Sequence, residues 1–542
     1  MSYGDDVGRN ILLITTDQQR YDSLGCNGGT IARTPTIDSL AARGLNYRRA
    51  YTQNVTCTPA RATILTGRLP RTHGAISCGR SLRDDIPSIA AHLHDRAGYR
   101  TALIGKAHFD PAMDPFGAFA ETKLGVSGAT GPLRGFEHAE LAMHGPMAST
   151  HYGAWLRAEY PEVAAGFAVP LSPAESPVTG APECRPNPVP RELYHTDWIA
   201  DRTVAWLDDV AATDAWFCWV SFPDPHHPWD PPEAEMRRVD WRDLDLPSGH
   251  PGNDDAIARV LADKPAHWLA YWEGRFANCE GAPSTFVPSR MSHDAIREIN
   301  ARAHVMNELV DEAVARVLAA IAARGWSEQT DVFFTTDHGE LQGDFGLVYK
   351  GPFHTDSLMR LPFVWAPAPE VAIAPAVLDD PVGQLDLVPT FCAIAGVAPP
   401  DGIDGRALPI TPGSGGERVI CEWDSILPGY GMHMRSMYRD GWLVTAYEAS
   451  TVGTPNGFEE FLARVPVGLA RSLDLHSTPI GPRTTIEYDG REGELYHLDD
   501  DPVAFVNRWD DPEYKVLRQD LVADLRASLP PAITPSPVRA FA

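Results

Sequence analysis

Hydrophobic and polar positions fall into two regimes along the chain. Through roughly the first 400 residues, short apolar runs alternate with stretches whose apolar positions recur every three or four residues, the pattern of strands joined by crossover helices. Four of these runs close on residues with chemistry. Asn10–Asp17 is a short apolar strand ending in a carboxylate, and Asp331–Asp337 repeats that shape far downstream. Thr101–His108 ends in a lysine and a histidine, and Trp216–Phe222 runs into Pro-Asp-Pro-His-His-Pro at 223–228. In open α/β sheets the ligand crevice lies beyond the carboxyl ends of the strands. These four strand ends therefore predict a polar site there.

Helices are legible between the strands. Ile86–Ala97 stops at Gly98, a residue suited to the left-handed end of a helix. Glu298–Arg324 carries Ala303, Met306, Leu309, Val310, Ala313, Val317 and Ile321 at helical spacing and stops at Gly325. Between 110 and 195, and again from 229 to 295, Pro, Gly, Trp and His are frequent and periodicity is weak, which predicts long excursions over the sheet. After residue 410 the segments become shorter and alternating, as in Met434–Glu448 and Glu492–Leu498. The expected architecture is α/β: a large mixed, mostly parallel sheet flanked by helices over 1–410, then a smaller α+β unit with a short antiparallel sheet over 411–542. The Pro-rich stretch Pro530–Pro537 is expected on the surface.

Length and charge narrow the function. The 542 residues exceed one ordinary domain. With 46 Lys+Arg against 72 Asp+Glu, the net charge is −26, which argues against nucleic acid or an anionic membrane as partner. Apolar runs such as Trp216–Val220 are far shorter than the roughly 18 residues of a membrane span. The segment Met1–Asp6 is polar and acidic, without the basic start of a signal peptide, so the chain is expected to be cytoplasmic. Eight cysteines are scattered without a CxxC pair, which indicates neither a disulfide framework nor a zinc knuckle. Most are expected to be small buried hydrophobes. Only five lysines occur, Lys106, Lys123, Lys264, Lys350 and Lys515, so each one's position is informative.

The sharpest segment is Asn-Val-Thr-Cys-Thr-Pro-Ala-Arg at 54–61. Pro59 suits the first turn of a helix and Gly67 its end, which sets Cys57 at the helix N-terminus. Unpaired amides and the helix dipole favour an anion there, and Arg61 lies one turn on.

Cys57-x-Pro59-x-Arg61 resembles the signature of the type I sulfatases of the alkaline phosphatase superfamily. The resemblance implies that a formylglycine-generating enzyme oxidises Cys57 to formylglycine, whose hydrate is the nucleophile. It also implies one divalent cation held by Asp17, Asp337, His338 and the side chain at 57. Carboxylate oxygens suit Ca²⁺ first, or Mg²⁺, and His338 leaves room for Mn²⁺. Gln18 stands where many sulfatases carry a second Asp; its amide oxygen is a further candidate ligand, and the departure resembles the phosphonate monoester hydrolases. Lys106-Ala-His108 resembles the family's Gly-Lys-x-His segment, and Lys350 its later substrate-binding lysine. Pro-His-x-Pro points to His226, with His227 as a neighbour that orients a loop or touches substrate. The likeness extends to Asp337–Gly346 and Glu494–Pro502, and so covers essentially the whole chain.

The implied activity is hydrolysis of a small-molecule sulfate monoester. One hydroxyl of the hydrate attacks sulfur and the other then expels sulfate, so water need not attack sulfur itself. Arg61, Lys106 and Lys350 stabilise charge on the transferring group. Lys106, His108 or His226 protonates the departing alcohol, and the family analogy favours His226. An unmodified thiol cannot perform the elimination. Three alternatives stay open at this point: a phosphonate monoester or phosphodiester hydrolase on the same scaffold, a phosphoryl transferase using Thr56 or Thr58, and a non-catalytic binding protein. Lys106 and His108 tilt the reading to sulfate. Trp229, Trp241, Trp268 and Trp272 suit either a pocket wall or ordinary packing. The alcohol is not legible, and neither is whether the chain forms a homo-oligomer.

Overall fold

The computed structural model describes residues 8–537, apart from 113, 115–116, 148, 167–174, 277–285, 426–429 and 450–485. Its centre is an eight-stranded sheet of β1 (Asn10–Thr16), β2 (Leu45–Tyr47), β3 (Arg100–Gly105), β4 (His138–Leu141), β5 (Trp216–Ser221), β6 (Thr330–Thr336), β7 (Phe363–Ala366) and β8 (Ala376–Leu378). The spatial order is β4-β3-β5-β1-β6-β7-β2-β8. Strands β4 through β6 run parallel, while β7 pairs antiparallel with both β6 and β2. The expected large, mostly parallel sheet is present.

The continuous apolar runs follow from burial on both faces. Leu12, Ile14, Ile104, Val220 and Phe334 point to one side, where they meet α4 (His195–Asp209) and α5 (His293–Ala323). Their neighbours Ile11, Leu13, Leu103, Trp219 and Phe333 point to the other, against α2 (Cys57–Thr66) and α3 (Ile89–Ala97). A strict period of two thus feeds two separate cores. A further helix, α1 (Pro35–Arg43), joins the first of them through Ile37 and Leu40.

Helix boundaries shift from the sequence expectation for local reasons. Helix α3 starts at Ile89 rather than Ile86, because Ser88 caps it by accepting from Ala91 N. Helix α5 starts five residues before Glu298, capped by Ser292 through Ala295 N. The long excursions are better organised than their weak periodicity suggests. The first contains β4, a four-residue edge strand whose sequence His-Ala-Glu-Leu carries no apolar run. The four tryptophans are packing residues: Trp229 and Trp268 are fully buried, and Trp241 and Trp272 pack half-buried against the cores.

The chain then forms a four-stranded antiparallel sheet of β9 (Arg418–Asp424), β10 (His433–Arg439), β11 (Trp442–Glu448) and β12 (Gly493–His497), in that order. Ile420, Met437, Val444 and Leu495 on one face pack against Leu521 and Leu525 of α6 (Lys515–Ser528). Trp423, Tyr438, Tyr447 and Tyr496 on the other join Trp268 from the second excursion and Phe345 and Phe353 from the segment after β6. The Pro-rich tail lies on the surface and is tied down by Ile533 N donating to Arg71 O at 2.9 Å. Six of the described cysteines are buried and Cys26 is half-buried, none in a disulfide; Cys279 lies outside the described residues. No helix among the described residues is long and apolar enough to cross a membrane.

Candidate active site

Parallel register brings the charged strand ends together. Thr16 pairs with Thr336 and Gly105 with Ser221, so Asp17, Asp337-His338 and Lys106 emerge side by side beyond the sheet. Cys57 is the first residue of α2. The turn before it is set by Asn54, whose Oδ1 accepts from Thr56 N at 2.9 Å and Thr56 Oγ1 at 2.7 Å.

Asp17, Cys57, Asp337 and His338 form one fully buried cluster, with their donor atoms within 4.8 Å of one another. Cys57 Sγ lies 3.2 Å from His338 Nε2 and 3.6 Å from Asp17 Oδ1. His338 Nε2 is 3.8 Å from Asp17 Oδ1 and 3.7 Å from Asp337 Oδ1. The other ring nitrogen, Nδ1, is 2.9 Å from Gly339 O. That contact assigns the proton to Nδ1 and turns the Nε2 lone pair into the cluster. The two carboxylates are divided the same way. Asp17 Oδ2 binds Lys106 Nζ and, at 3.2 Å, Arg61 NH2, while Asp337 Oδ2 accepts from Arg61 Nε at 2.9 Å. Each acid thus gives one oxygen to protein cations and keeps Oδ1 facing inward.

Burial and the charge on Cys57 push the Asp17 carboxyl up, but Lys106, Arg61 and Lys350 outweigh them and hold it at about 2. Asp337 is raised, by burial first and by Asp17 beside it. Two buried acids this close call for a further positive charge between them. Two carboxylate oxygens, one imidazole nitrogen and the side chain at 57 suit a hard or borderline dication.

Two lysines flank Cys57 in matching fashion. Lys106 Nζ contacts Asp17 Oδ2, His144 Nε2 at 3.0 Å and Cys57 Sγ at 3.8 Å. Lys350 Nζ contacts Gln18 Oε1 at 2.8 Å, His226 Nε2 at 2.8 Å and Cys57 Sγ at 3.2 Å. Gln18 sits beside the cluster at φ 64°, with its backbone N–H on Asp337 Oδ1, its amide nitrogen on Glu340 and its amide oxygen on Lys350. Arg61 also donates to Lys106 O at 3.0 Å and Ser221 Oγ at 2.8 Å. Four of its five N–H groups therefore brace the protein.

His108 has φ 57° and is buried, with its imidazole close enough to interact with Cys57. Its loop is held by Glu121, whose carboxylate accepts from the backbone N–H groups of His108, Phe109 and Asp110. His226 bonds through Nδ1 to His227 O, and burial together with Lys350 pushes its imidazole well below the ordinary histidine range. The rings of His144, His226 and His227 stack in sequence, with centroids 4.0 and 3.9 Å apart. His227 Nδ1 is 3.1 Å from Glu183 Oε2. The structure thus gathers Asp17, Gln18, Arg61, Lys106, His108, His226, Asp337, His338 and Lys350 around Cys57. It adds His144, Glu121 and Glu183, which no local motif marks, and Glu340 from within the Asp337–Gly346 segment.

The large α/β sheet with two buried carboxylates, an imidazole and a cysteine beyond its strand ends agrees with the alkaline phosphatase superfamily, to which the sequence comparisons assign the chain. Within it, the sequence model of the sulfatase family matches residues 9–397. The chain belongs to the sulfatase family, whose members are sulfuric ester hydrolases. It is 28% identical over 412 residues to the arylsulfatase of Clostridium perfringens, covering 74% of this chain and 77% of that protein. It is 27% identical over 422 residues to the multifunctional alkaline phosphatase superfamily protein PehA of Trinickia caryophylli, covering 74% and 76%. Its fold is similar to that of the phosphonate monoester hydrolase of Agrobacterium radiobacter, with a TM-score of 0.72, 23% identity and 96% of each chain covered.

Proposed function

We propose that this sulfatase hydrolyses sulfate monoesters of a small-molecule alcohol at Cys57, matured to formylglycine by a formylglycine-generating enzyme. Asp17, Asp337, His338 and the side chain at 57 would hold one divalent cation, Ca²⁺ before Mn²⁺ or Mg²⁺. The observation that carries the reading is the convergence of two lysines, Asp17 and an imidazole on Cys57 Sγ, with Asp337 in the same cluster. When bound, the cation supplies Lewis-acid polarisation of a sulfate oxygen and activation of a hydroxyl at position 57. The formylglycine hydrate supplies a nucleophile that is regenerated by elimination.

The chain's own residues do the rest. Lys106 and Lys350 stand on either side of the atom that receives the sulfuryl group and neutralise charge building on its oxygens. Arg61 locks the two carboxylates so that their inward oxygens stay aligned. Lys350 and His226 share a 2.8 Å hydrogen bond, and this pair holds the proton assigned to the departing alcohol. His108 offers its imidazole to the substrate.

Phosphonate monoester and phosphodiester hydrolysis is the second reading, favoured by Gln18 in place of a second carboxylate. All three ester classes are monoanions, so measurable promiscuity is expected. Peptide mass at residue 57, followed by parallel assays of an aryl sulfate, a phosphodiester and a phosphonate monoester, tests the proposal. Formylglycine with the highest kcat/KM on the aryl sulfate supports it. An intact thiol in highly active protein overturns the nucleophile, and higher efficiency on the phosphonate overturns the substrate.

A further inference from the structure

Lys350 and Lys106 are each held as a tripod, and only one of the two histidines involved was visible in the sequence. Lys350 rests on Gln18, Cys57 and His226; Lys106 rests on Asp17, Cys57 and His144. We propose that His144 is a positioning residue for the hydrolysis described above, holding the Lys106 ammonium against the transferring group as His226 holds Lys350. The proposal rests on that reading of the site.

A lysine ammonium is a compact charge on a four-carbon stem, with three N–H donors and no built-in orientation. Asp17 Oδ2 alone would let Nζ swing about a single anchor. His144 Nε2, at 3.0 Å, supplies the second anchor, and two fixed donors leave the third aimed at Cys57 Sγ, 3.8 Å away. The anchor must be neutral. A second carboxylate there would draw the Lys106 charge away from a sulfate oxygen, whereas a cation would repel it. Burial, then His226 and Lys106, keeps the His144 imidazole well below the ordinary histidine range. The ring is itself fixed, buried at 7% exposure and stacked on His226 at 4.0 Å with 22° between planes.

The two contacts of His144 are separable by substitution. His144→Phe keeps the stacked ring and removes the acceptor; His144→Gln loses the ring and retains an amide oxygen for Lys106. Steady-state kinetics of the metal-loaded, formylglycine-bearing protein are measured for both, alone and combined with Lys106→Met. The substrate is whichever of an aryl sulfate and a phosphonate monoester the unsubstituted protein turns over better. His144→Phe is expected to lower kcat about tenfold or more with KM changed less than about threefold, the mark of a contact used mainly in the transition state. His144→Gln is expected to recover most of that loss. In the Lys106→Met background, His144→Phe should have almost no further effect, because its partner is gone. Circular dichroism and metal content matching the unsubstituted protein exclude misfolding.

Losses that multiply in the double variant, a His144→Phe protein with normal kcat, or a His144→Gln protein no better than His144→Phe would overturn the positioning role. A better rate on the phosphonate would instead overturn the sulfate reading and leave this test intact. If no single variant folds, Lys106→Arg in the unaltered His144 background decides: a planar fork cannot keep the tripod, so a fall in kcat of about tenfold is expected, and normal turnover would refute the proposal.

Discussion

Arg61 Nε donates to Asp337 Oδ2 at 2.9 Å, and neither side chain has measurable solvent exposure. One turn beyond Cys57, this bond ties the helix of the proposed nucleophile to the strand end that carries the proposed cation site. Removing one partner of a buried ion pair leaves the other charge uncompensated, at roughly 3–5 kcal/mol. Arg61→Met is therefore expected to lower Tm markedly and to abolish turnover. Arg61→Lys should recover part of the stability but little activity, since an ammonium cannot span Asp17, Asp337, Lys106 O and Ser221 at once. Thermal unfolding and kcat measured on the same preparations check both, and an Arg61→Met protein of normal Tm would contradict the bracing role.

The cation site makes a stoichiometric prediction. Chelation should remove activity and lower Tm, and titrating Ca²⁺ back should restore both with one ion per chain. Asp337→Asn should weaken that recovery, because it removes a charge from the donor set. Elemental analysis is the readout. Two ions per chain would point to a two-metal phosphatase arrangement instead.

Substrate preference should respond to Lys106 and His108. If sulfate is the native group, Lys106→Met and His108→Ala should reduce aryl-sulfate turnover on the order of 10²-fold, and phosphonate turnover less. Paired kcat/KM values for each variant decide. Equal losses on both esters would remove the pair from any role in discrimination.

Outside the site, Lys264 predicts a pH effect on stability. Its Nζ donates to Tyr496 Oη at 2.7 Å and Ala504 O at 2.6 Å, with the rings of Trp268, Phe345 and Tyr496 within 4.8 Å. Burial pulls its ammonium down to about 8 against the opposing pull of Glu494, Asp501 and Asp263. The folded chain therefore releases this proton near pH 8 and the unfolded chain near 10.5. Between those values the unfolded state binds more protons, so stability rises with pH; below 8 the cost of the buried charge is constant. Relative to Lys264→Met, the native protein should gain up to about 3 kcal/mol from pH 8 to 10.5. Matched Tm series of the two proteins would show that gain as converging or crossing curves, and parallel curves would rule it out.

Much of this site is readable before any coordinates. Asp17 and Asp337 are visible because a polar residue ending an apolar run is a local event, and parallel strands put their ends on one edge. Cys57 is visible because Pro59 and Gly67 mark a helix by its first and last turns. Lys106 is visible as Asp17 and Asp337 are, at the end of β3, whereas His338 and Lys350 become visible through the family resemblance, which rests on short motifs. By contrast, β4 lacks an apolar run, and the start of α5 depended on a serine cap more than on periodicity.

What the amino-acid order determined by itself was therefore the four central strands β1, β3, β5 and β6, the helix beginning at Cys57 and the charged residues that meet beyond them. Tertiary structure decided how those charges are shared. The division of each carboxylate between Arg61 and the cluster, the Lys106–His144 bond across 38 positions and the Gln18–Lys350 bond across 332 positions join residues with no common local pattern. The burial of Trp229 and Trp268 was decided in the same way. Helix and strand periods are short-range, whereas a buried charge is settled by whichever donors the completed fold brings within about 3 Å of it.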